Sequence, residues 1–243
     1  MSDPVLPADN DALKKLLRKL APQPAANPAV DNGPWDWLTR QDDATIAARV
    51  RPVLHELAAD TEATVRLRAI ELLTNLPEDP PTIARLVELA QKRPELFRDP
   101  RVAEAMQHAL ANVAMSSQRE REIAGAIRTL AGNQLPADAA ASLVAVHEPD
   151  WTVELAKRYA SSGRANAFCA SAASMFAGYH RDRLLALLSA MRALDGDAKT
   201  QVLASLTTFL ALPDETARTL AARAGVAPPA TTPTLDQCRQ ALG

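Results

Sequence analysis

Residues 54–76, LHELAADTEATVRLRAIELLTNL, contain the pattern that decides the fold. Leu54 and Leu57 close a first apolar series, and Asp60 separates it from a second one. The second series has the spacing of one face of an α-helix and consists of Val65, Ala69, Leu72, Leu73 and Leu76. The stretch therefore predicts two helices that are joined by a turn at Asp60.

The same pattern returns twice further along the chain. Thirty-seven positions after Val65, the apolar places hold Val102, Met106, Ala109, Leu110 and Val113. In the C-terminal half, Met191 and Leu194 precede Asp197, and the second series there is Val202, Leu206, Phe209 and Leu210. Over residues 118–179 the helical period persists, but the pattern is degenerate. This recurrence predicts an internal repeat.

The unit at residues 54–76 resembles a HEAT repeat, because apolar residues close its first helix, an aspartate occupies the turn and Val65-Arg66 opens its second helix. The resemblance implies a right-handed α-solenoid of stacked antiparallel helix pairs, HEAT/armadillo-like, with about five pairs. It also implies that Arg66 pairs with a neighbouring aspartate. Ala103 stands in the arginine's place in the next unit, which argues against a continuous Asp-Arg ladder.

The amino-acid composition favours an all-α chain. It is 47% hydrophobic but only 4% aromatic, and it includes just 8 glycines. Alanine and leucine are the strongest helix formers, whereas strands are enriched in β-branched and aromatic residues. A compact irregular helical bundle, whose hairpins look alike because they bury similar faces, stays open as the alternative to a solenoid.

Helical periods of the apolar residues predict eleven helices in the body of the chain, closed by Pro, Gly or Asp. Their short connections make sequential helices antiparallel neighbours. The predicted helices cover residues 43–59, 62–76, 81–91, 100–115, 118–131, 136–146, 150–161, 164–178, 180–194, 197–211 and 214–224.

Three regions are predicted along the chain. Residues 1–34 are rich in proline and mostly irregular, except for a short amphipathic helix at 10–20 that is too short to be stable alone. We expect this helix to dock either on its own body or on a partner, and we expect removal of residues 1–33 to leave the fold intact. Residues 35–226 form the repeat domain, and 227–243 form a C-terminal tail.

Charge and cysteine usage restrict the classes of function. The 27 basic and 29 acidic side chains give a net charge of -2, so no global positive field attracts a polyanion. Cys169 and Cys238 are too far apart in sequence for a zinc motif or a disulfide framework. The N-terminus lacks the features of a signal peptide, and no apolar stretch reaches the length of a membrane span. We predict a cytoplasmic protein without a metal site or a cofactor.

Catalytic motifs are missing from the sequence. There is no Gly-rich phosphate loop and no nucleophile elbow. His55-Glu56 resembles the start of a zinc-protease helix, but Ala59 stands where that motif needs its second histidine. We therefore predict that the protein is not an enzyme and assign no catalytic residue.

The candidate binding residues lie on the outward sides of the second helices, which would form the concave surface of a solenoid. By position these polar residues are Arg68, Glu71, Asn75, His108 and Asn112. Trp35 and Trp37 are further candidates, with two interpretations. They either plug the open end of the first hairpin or anchor a partner, because tryptophan is enriched in binding hot spots.

The predicted function is that of a non-catalytic protein-binding scaffold, adaptor or inhibitor. Fold analogy alone adds a sharper version, a bacterial immunity protein that neutralises a toxin. The alternative is a nucleic-acid-binding protein similar to HEAT-like DNA glycosylases of the alkylation-repair type, which the charge balance disfavours. A third class, weak membrane-surface association through residues 10–20, stays open. The identity of the partner, the repeat subtype and the oligomeric state are not predicted.

Overall fold

The structure is a computed structural model that describes residues 4–20, 35–76, 79–114, 119–161, 166–225 and 232–243. These described residues contain helices and turns and no strand, which confirms the all-α prediction. The chain divides into two compact units, Met1–Ser117 and Gln118–Gly243. We call them the N-terminal unit and the C-terminal unit. The division falls inside the range that the sequence assigns to one repeat domain.

The N-terminal unit opens with the predicted amphipathic helix, α1, and continues with two helix pairs. A π-helical turn, Ile46–Val50, joins α2 to α3, and 3₁₀ turns cover Asp36–Arg40 and Pro94–Phe97. The helices are α1 (Asn10–Leu20), α2 (Asp43–Thr45), α3 (Arg51–Leu57), α4 (Ala63–Asn75), α5 (Pro80–Lys92) and α6 (Pro100–Ala114).

Pro52 gives the π-helical turn a physical cause. A proline inside a helix has no amide hydrogen, and its ring collides with the carbonyl group four residues earlier. The preceding amide, that of Arg51, donates to the carbonyl oxygen of Ile46, five residues back. This wider turn lets the helix continue through the proline.

Apolar stripes hold the N-terminal unit together. α3 packs against α4, α5 packs against α6, α4 contacts α6, and α3 contacts α5. The repeated apolar positions that the sequence singles out on the second helices are buried, and they include Val65, Ala69, Leu72, Leu73, Val102, Met106, Ala109 and Leu110. Leu13 and Leu17 of α1 are fully buried as well, and α1 contacts α3. The short N-terminal helix therefore docks on its own body.

The C-terminal unit surrounds one central helix. Its described helices are α7 (Glu120–Ala131), α8 (Asp138–His147), α9 (Pro149–Ala160), α10 (Asn166–Tyr179), α11 (Arg181–Ala190), α12 (Gly196–Leu210), α13 (Asp214–Arg223) and α14 (Leu235–Leu242). α10 contacts α8, α9, α11, α12 and α13. Because five helices cover it, α10 consists almost entirely of uncharged and mostly small residues.

The segment that the sequence treats as a C-terminal tail contains a packed helix, α14. Thr234 and Gln237 form a reciprocal capping box at its start. Cys238 and Leu242 are buried, and α14 contacts both α11 and α12. The last helix of the chain therefore lies beside α11, out of sequence order.

Arg181 ties four segments of the C-terminal unit together. Its side chain has no exposed surface. The guanidinium donates to the carbonyl oxygens of Ala177 at 2.8 Å and Phe209 at 2.7 Å, and to the Thr232 hydroxyl at 2.7 Å. It also reaches the Asp214 carboxylate at 3.1 Å. A planar guanidinium suits this arrangement because its five N–H donors point in fixed directions.

One predicted turn residue is wrong. The repeat pattern places the turn aspartate of the C-terminal unit at Asp197, but Asp197 lies inside the first turn of α12. Asp195 precedes that helix, and its carboxylate accepts from the amide of Ala198 at 2.8 Å. An aspartate caps a helix from the residue just outside it, so Asp195 takes the role.

Candidate functional site

A groove of about 450 Å³ runs between α4 and α6 of the N-terminal unit. We call it the α4–α6 groove. On α4 its lining residues are Leu67, Glu71, Thr74 and Asn75, and on α6 they are Arg101, Glu104, Ala105 and His108. These residues recur at intervals of three and four along each helix, so each set occupies one face.

The groove forms on the outer side because the opposite faces of the two helices are buried in the core. Leu72 and Leu73 of α4, and Met106 and Leu110 of α6, are buried. The residues between these apolar positions lie on the outer side of the helices, where they do not need to be apolar because they are not buried. The sequence therefore determines where the groove lies but leaves the character of its lining free.

Two of the charges at the groove are paired within their own helical turns. Arg68 Nη1 lies 3.0 Å from Glu71 Oε2. Arg101 donates to Asp99 from Nε at 3.2 Å and from Nη2 at 2.9 Å. This hydrogen bonding is the main reason that the pKa of Asp99 lies below its ordinary value and that of Arg101 lies above its own.

Glu104 is the least compensated charge in the groove. Its side chain is 66% exposed, and among the described residues its only ion-pair partner is His108, with Nε2 3.8 Å from Oε1, which pairs as a cation only when it is protonated. Among the described residues that line the groove, Thr74 alone carries a hydroxyl group. The Thr74 hydroxyl donates to the carbonyl oxygen of Ile70 within its own helix at 2.9 Å.

The structure brings together three of the residues that the sequence predicts for binding. Glu71, Asn75 and His108 line the groove. Arg68 is half-buried beside it through its pair with Glu71, and Asn112 is exposed further along α6. Sequence reasoning placed Ala105 on the outward side of its helix without making it a candidate, and it missed Leu67, Thr74, Arg101 and Glu104. Helical spacing indicates which residues share a helix face, but which of them share a groove depends on how α4 and α6 pack.

Trp35 and Trp37 lie in the core of the N-terminal unit. Trp35 is 2% exposed and Trp37 is 3% exposed. The indole Nε1 of Trp35 donates to the carbonyl oxygen of Leu17 at 3.1 Å. Trp35 therefore packs against α1, and burial leaves almost no surface of either tryptophan exposed to a partner.

The turn at Asp60 differs from what the HEAT resemblance implies. The Asp60 carboxylate accepts from the amide of Glu62 at 3.0 Å, as a capping residue does, and pairs with Arg18 of α1 at 2.6 Å. Arg66 donates to the carbonyl oxygens of Asp60 and Thr61, and it pairs with no carboxylate among the described residues. The N-terminal helix thus supplies the cation that the resemblance assigns to Arg66.

Two further cavities are smaller. One of about 350 Å³ lies between α1 and the Asp60 turn, and its lining includes the Arg18–Asp60 pair. Another of about 320 Å³ lies between α7 and α9 of the C-terminal unit, where Arg128, Arg158 and Trp151 take part in its lining. No cluster of His, Cys, Asp or Glu in the described part of the chain has the arrangement of a metal site.

A helix that crosses a bilayer needs about 20 consecutive, mostly apolar residues. None of the helices among the described residues is both long enough and apolar enough to cross a bilayer.

Comparison with known proteins gives no identification. No protein-family model, no curated protein and no solved structure matches this chain. The candidate site therefore stands on its own geometry.

Proposed function

We propose that the chain is a helical-repeat protein that binds another protein through the α4–α6 groove. The observation that carries the proposal is that Glu71, Asn75 and His108, chosen from the repeat pattern, line one groove. The packing of α3 on α4, α5 on α6, α4 on α6 and α3 on α5 supports a stacked pair of HEAT-like hairpins. In such a stack the second helices form the binding surface.

The chemistry of the groove favours a non-catalytic role. Its side chains lie along two helix faces, as in the grooves that receive a peptide or a helix. Apolar surface from Leu67 and Ala105 alternates with exposed charge from Glu71 and Glu104. That combination suits a scaffold, adaptor or inhibitor, including the immunity role that fold analogy suggests.

The test is a charge-reversal variant that leaves the fold unchanged. The triple change Arg68→Glu, Glu71→Lys and His108→Glu alters only exposed or half-buried positions. We expect the melting temperature to stay nearly constant, since surface substitutions typically change stability by about 0.5 kcal/mol or less. Capture of the native partner, measured by affinity purification and mass spectrometry, should fall strongly.

A matched control separates the groove from a general charge effect. The changes Arg218→Glu, Glu215→Lys and Thr219→Glu on α13 give the same change in net charge at exposed positions of the C-terminal unit. We expect this control to capture the partner as the wild type does. Equal capture by the groove variant and the wild type would contradict the proposal.

A further inference from the structure

The floor of the α4–α6 groove offers apolar surface to a ligand. Leu67 and Ala105 are only half-buried by the unit's own packing, and both take part in the lining. An aliphatic side chain that covers them would remove apolar surface from water, which is the main source of affinity in small interfaces. The floor therefore favours a ligand with at least one aliphatic anchor.

The acidic and basic side chains around this floor do not all form ion pairs with one another. Arg101 is held by Asp99 through two side-chain hydrogen bonds, and Arg68 is held by Glu71. Within the described residues no lysine or arginine forms an ion pair with Glu104, since the nearby Arg101 pairs with Asp99, and the Glu104 side chain is 66% exposed. The groove thus presents a carboxylate that its own helices leave without a strong cationic partner.

We infer that the groove binds a peptide segment of the partner protein that carries a lysine or arginine next to an aliphatic residue. This inference rests on the proposed function and adds the chemistry of the partner to it. The aliphatic side chain covers Leu67 and Ala105, and the cation meets Glu104 at the rim. An acidic segment would instead place like charges beside Glu71 and Glu104, which costs affinity.

The ion pair between Glu104 and the cation of the peptide contributes more to specificity than to affinity. Rim charges are solvated and screened, so each contributes modestly, whereas the covered apolar floor supplies most of the binding free energy. Reversing the charge of Glu104 replaces attraction by repulsion, and we expect roughly tenfold weaker binding. Added salt should weaken binding to the wild type in the same direction.

The experiment uses the full chain as bait against a random library of displayed peptides. Selected peptides are synthesised and titrated against the wild type, Glu104→Lys and Glu215→Lys. Glu215 is an exposed glutamate on α13 and serves as the matched control. Ala105→Trp fills the floor of the groove and reports whether a peptide binds there at all.

Selection of peptides rich in Lys or Arg beside Leu, Ile or Val supports the inference if they bind the Glu104→Lys variant more weakly than the wild type. The Glu215→Lys variant should bind them as the wild type does. Replacing their cations by glutamate should then restore binding to Glu104→Lys. Groove-dependent peptides that are acidic or neutral would overturn the inference and leave the proposed function standing. A library that yields no peptide sensitive to Ala105→Trp would overturn both.

Discussion

The second helices of the N-terminal unit and the central helix of the C-terminal unit differ in charge. α4 and α6 carry Arg68, Glu71, Arg101 and Glu104 on their outer faces, whereas α10 has no charged side chain from Asn166 to Tyr179. These helices also differ in how many neighbouring helices cover them. α10 contacts five helices, while α4 and α6 keep one side open to solvent.

This difference separates what the fold requires from what it leaves free. A helix that is covered on nearly all sides can hold only small or apolar residues, because a buried unpaired charge is costly. The uncharged surface of α10 therefore follows from packing. The charges of α4 and α6 are not needed for burial, which makes them the better candidates for recognition.

The largest expected effect comes from charging a core position of the N-terminal unit. Leu110 is fully buried and Leu73 is 5% exposed. Leu110→Asp or Leu73→Asp would bury an unpaired carboxylate at a cost of several kcal/mol. We expect circular dichroism to show no cooperative melting for either variant, whereas Glu71→Ala should melt as the wild type does.

Next in size is the loss of Arg181, the buried cation of the C-terminal unit. Arg181→Met would remove the guanidinium donors from the carbonyl oxygens of Ala177 and Phe209 and from the Thr232 hydroxyl. A hydrogen bond to a charged group contributes about 1.5–3 kcal/mol, so the loss of several at once should be visible in urea unfolding. Arg181→Lys should rescue little, because an ammonium group cannot reach acceptors in that many directions. Wild-type stability in both variants would contradict the assigned role.

A single substitution in the buried face of α1 should destabilise the N-terminal unit by a smaller amount. The sequence alone predicts that residues 1–33 are dispensable, but Leu13 and Leu17 are fully buried and Arg18 pairs with Asp60. Leu17→Ala should lower the free energy of unfolding by about 2–4 kcal/mol. Leu16, which is only half-buried, is the control, and Leu16→Ala should cost clearly less.

The smallest expected effect is a dependence of stability on pH through two histidines, one in each unit. Burial lowers the pKa of His55 and of His180 below the ordinary value of 6.5. The unfolded chain then binds protons more readily than the folded one. The contribution of these histidines to the free energy of unfolding is therefore complete above pH 6.5 and is lost as the pH falls below it. His180→Gln should reduce the slope of unfolding free energy between about pH 7 and pH 5. An unchanged slope would show that His180 titrates alike in both states.

Much of the fold could be predicted because helical periodicity and breakers are local signals. Helix α6 starts at Pro100, as predicted, and α13 starts at Asp214, also as predicted. Helix α14 was missed although Thr234 and Gln237 match a capping box, because the short apolar pattern beyond it is weak. The contacts of Arg181 and the pairing of Arg18 with Asp60 join residues distant in sequence, and no local pattern reveals them.

The candidate site was predictable in position but not in shape. The repeat offset identified Glu71 and His108 on the outer faces, since it depends on helical spacing alone. Which residues from α4 and α6 share a groove depends on how the two helices pack, so Arg101 and Glu104 emerged only from the structure. The burial of Trp35 likewise depends on where α1 docks.

Site-specific photocrosslinking tests the central claim most directly. A photoreactive amino acid placed at Asn75, an exposed residue of the α4–α6 groove, is compared with one at Thr208, an exposed residue of α12. If the groove holds the partner, Asn75 should give one protein adduct that charge reversal at Glu104 diminishes, and Thr208 should give no such adduct. An adduct from Thr208 with none from Asn75 would contradict the claim.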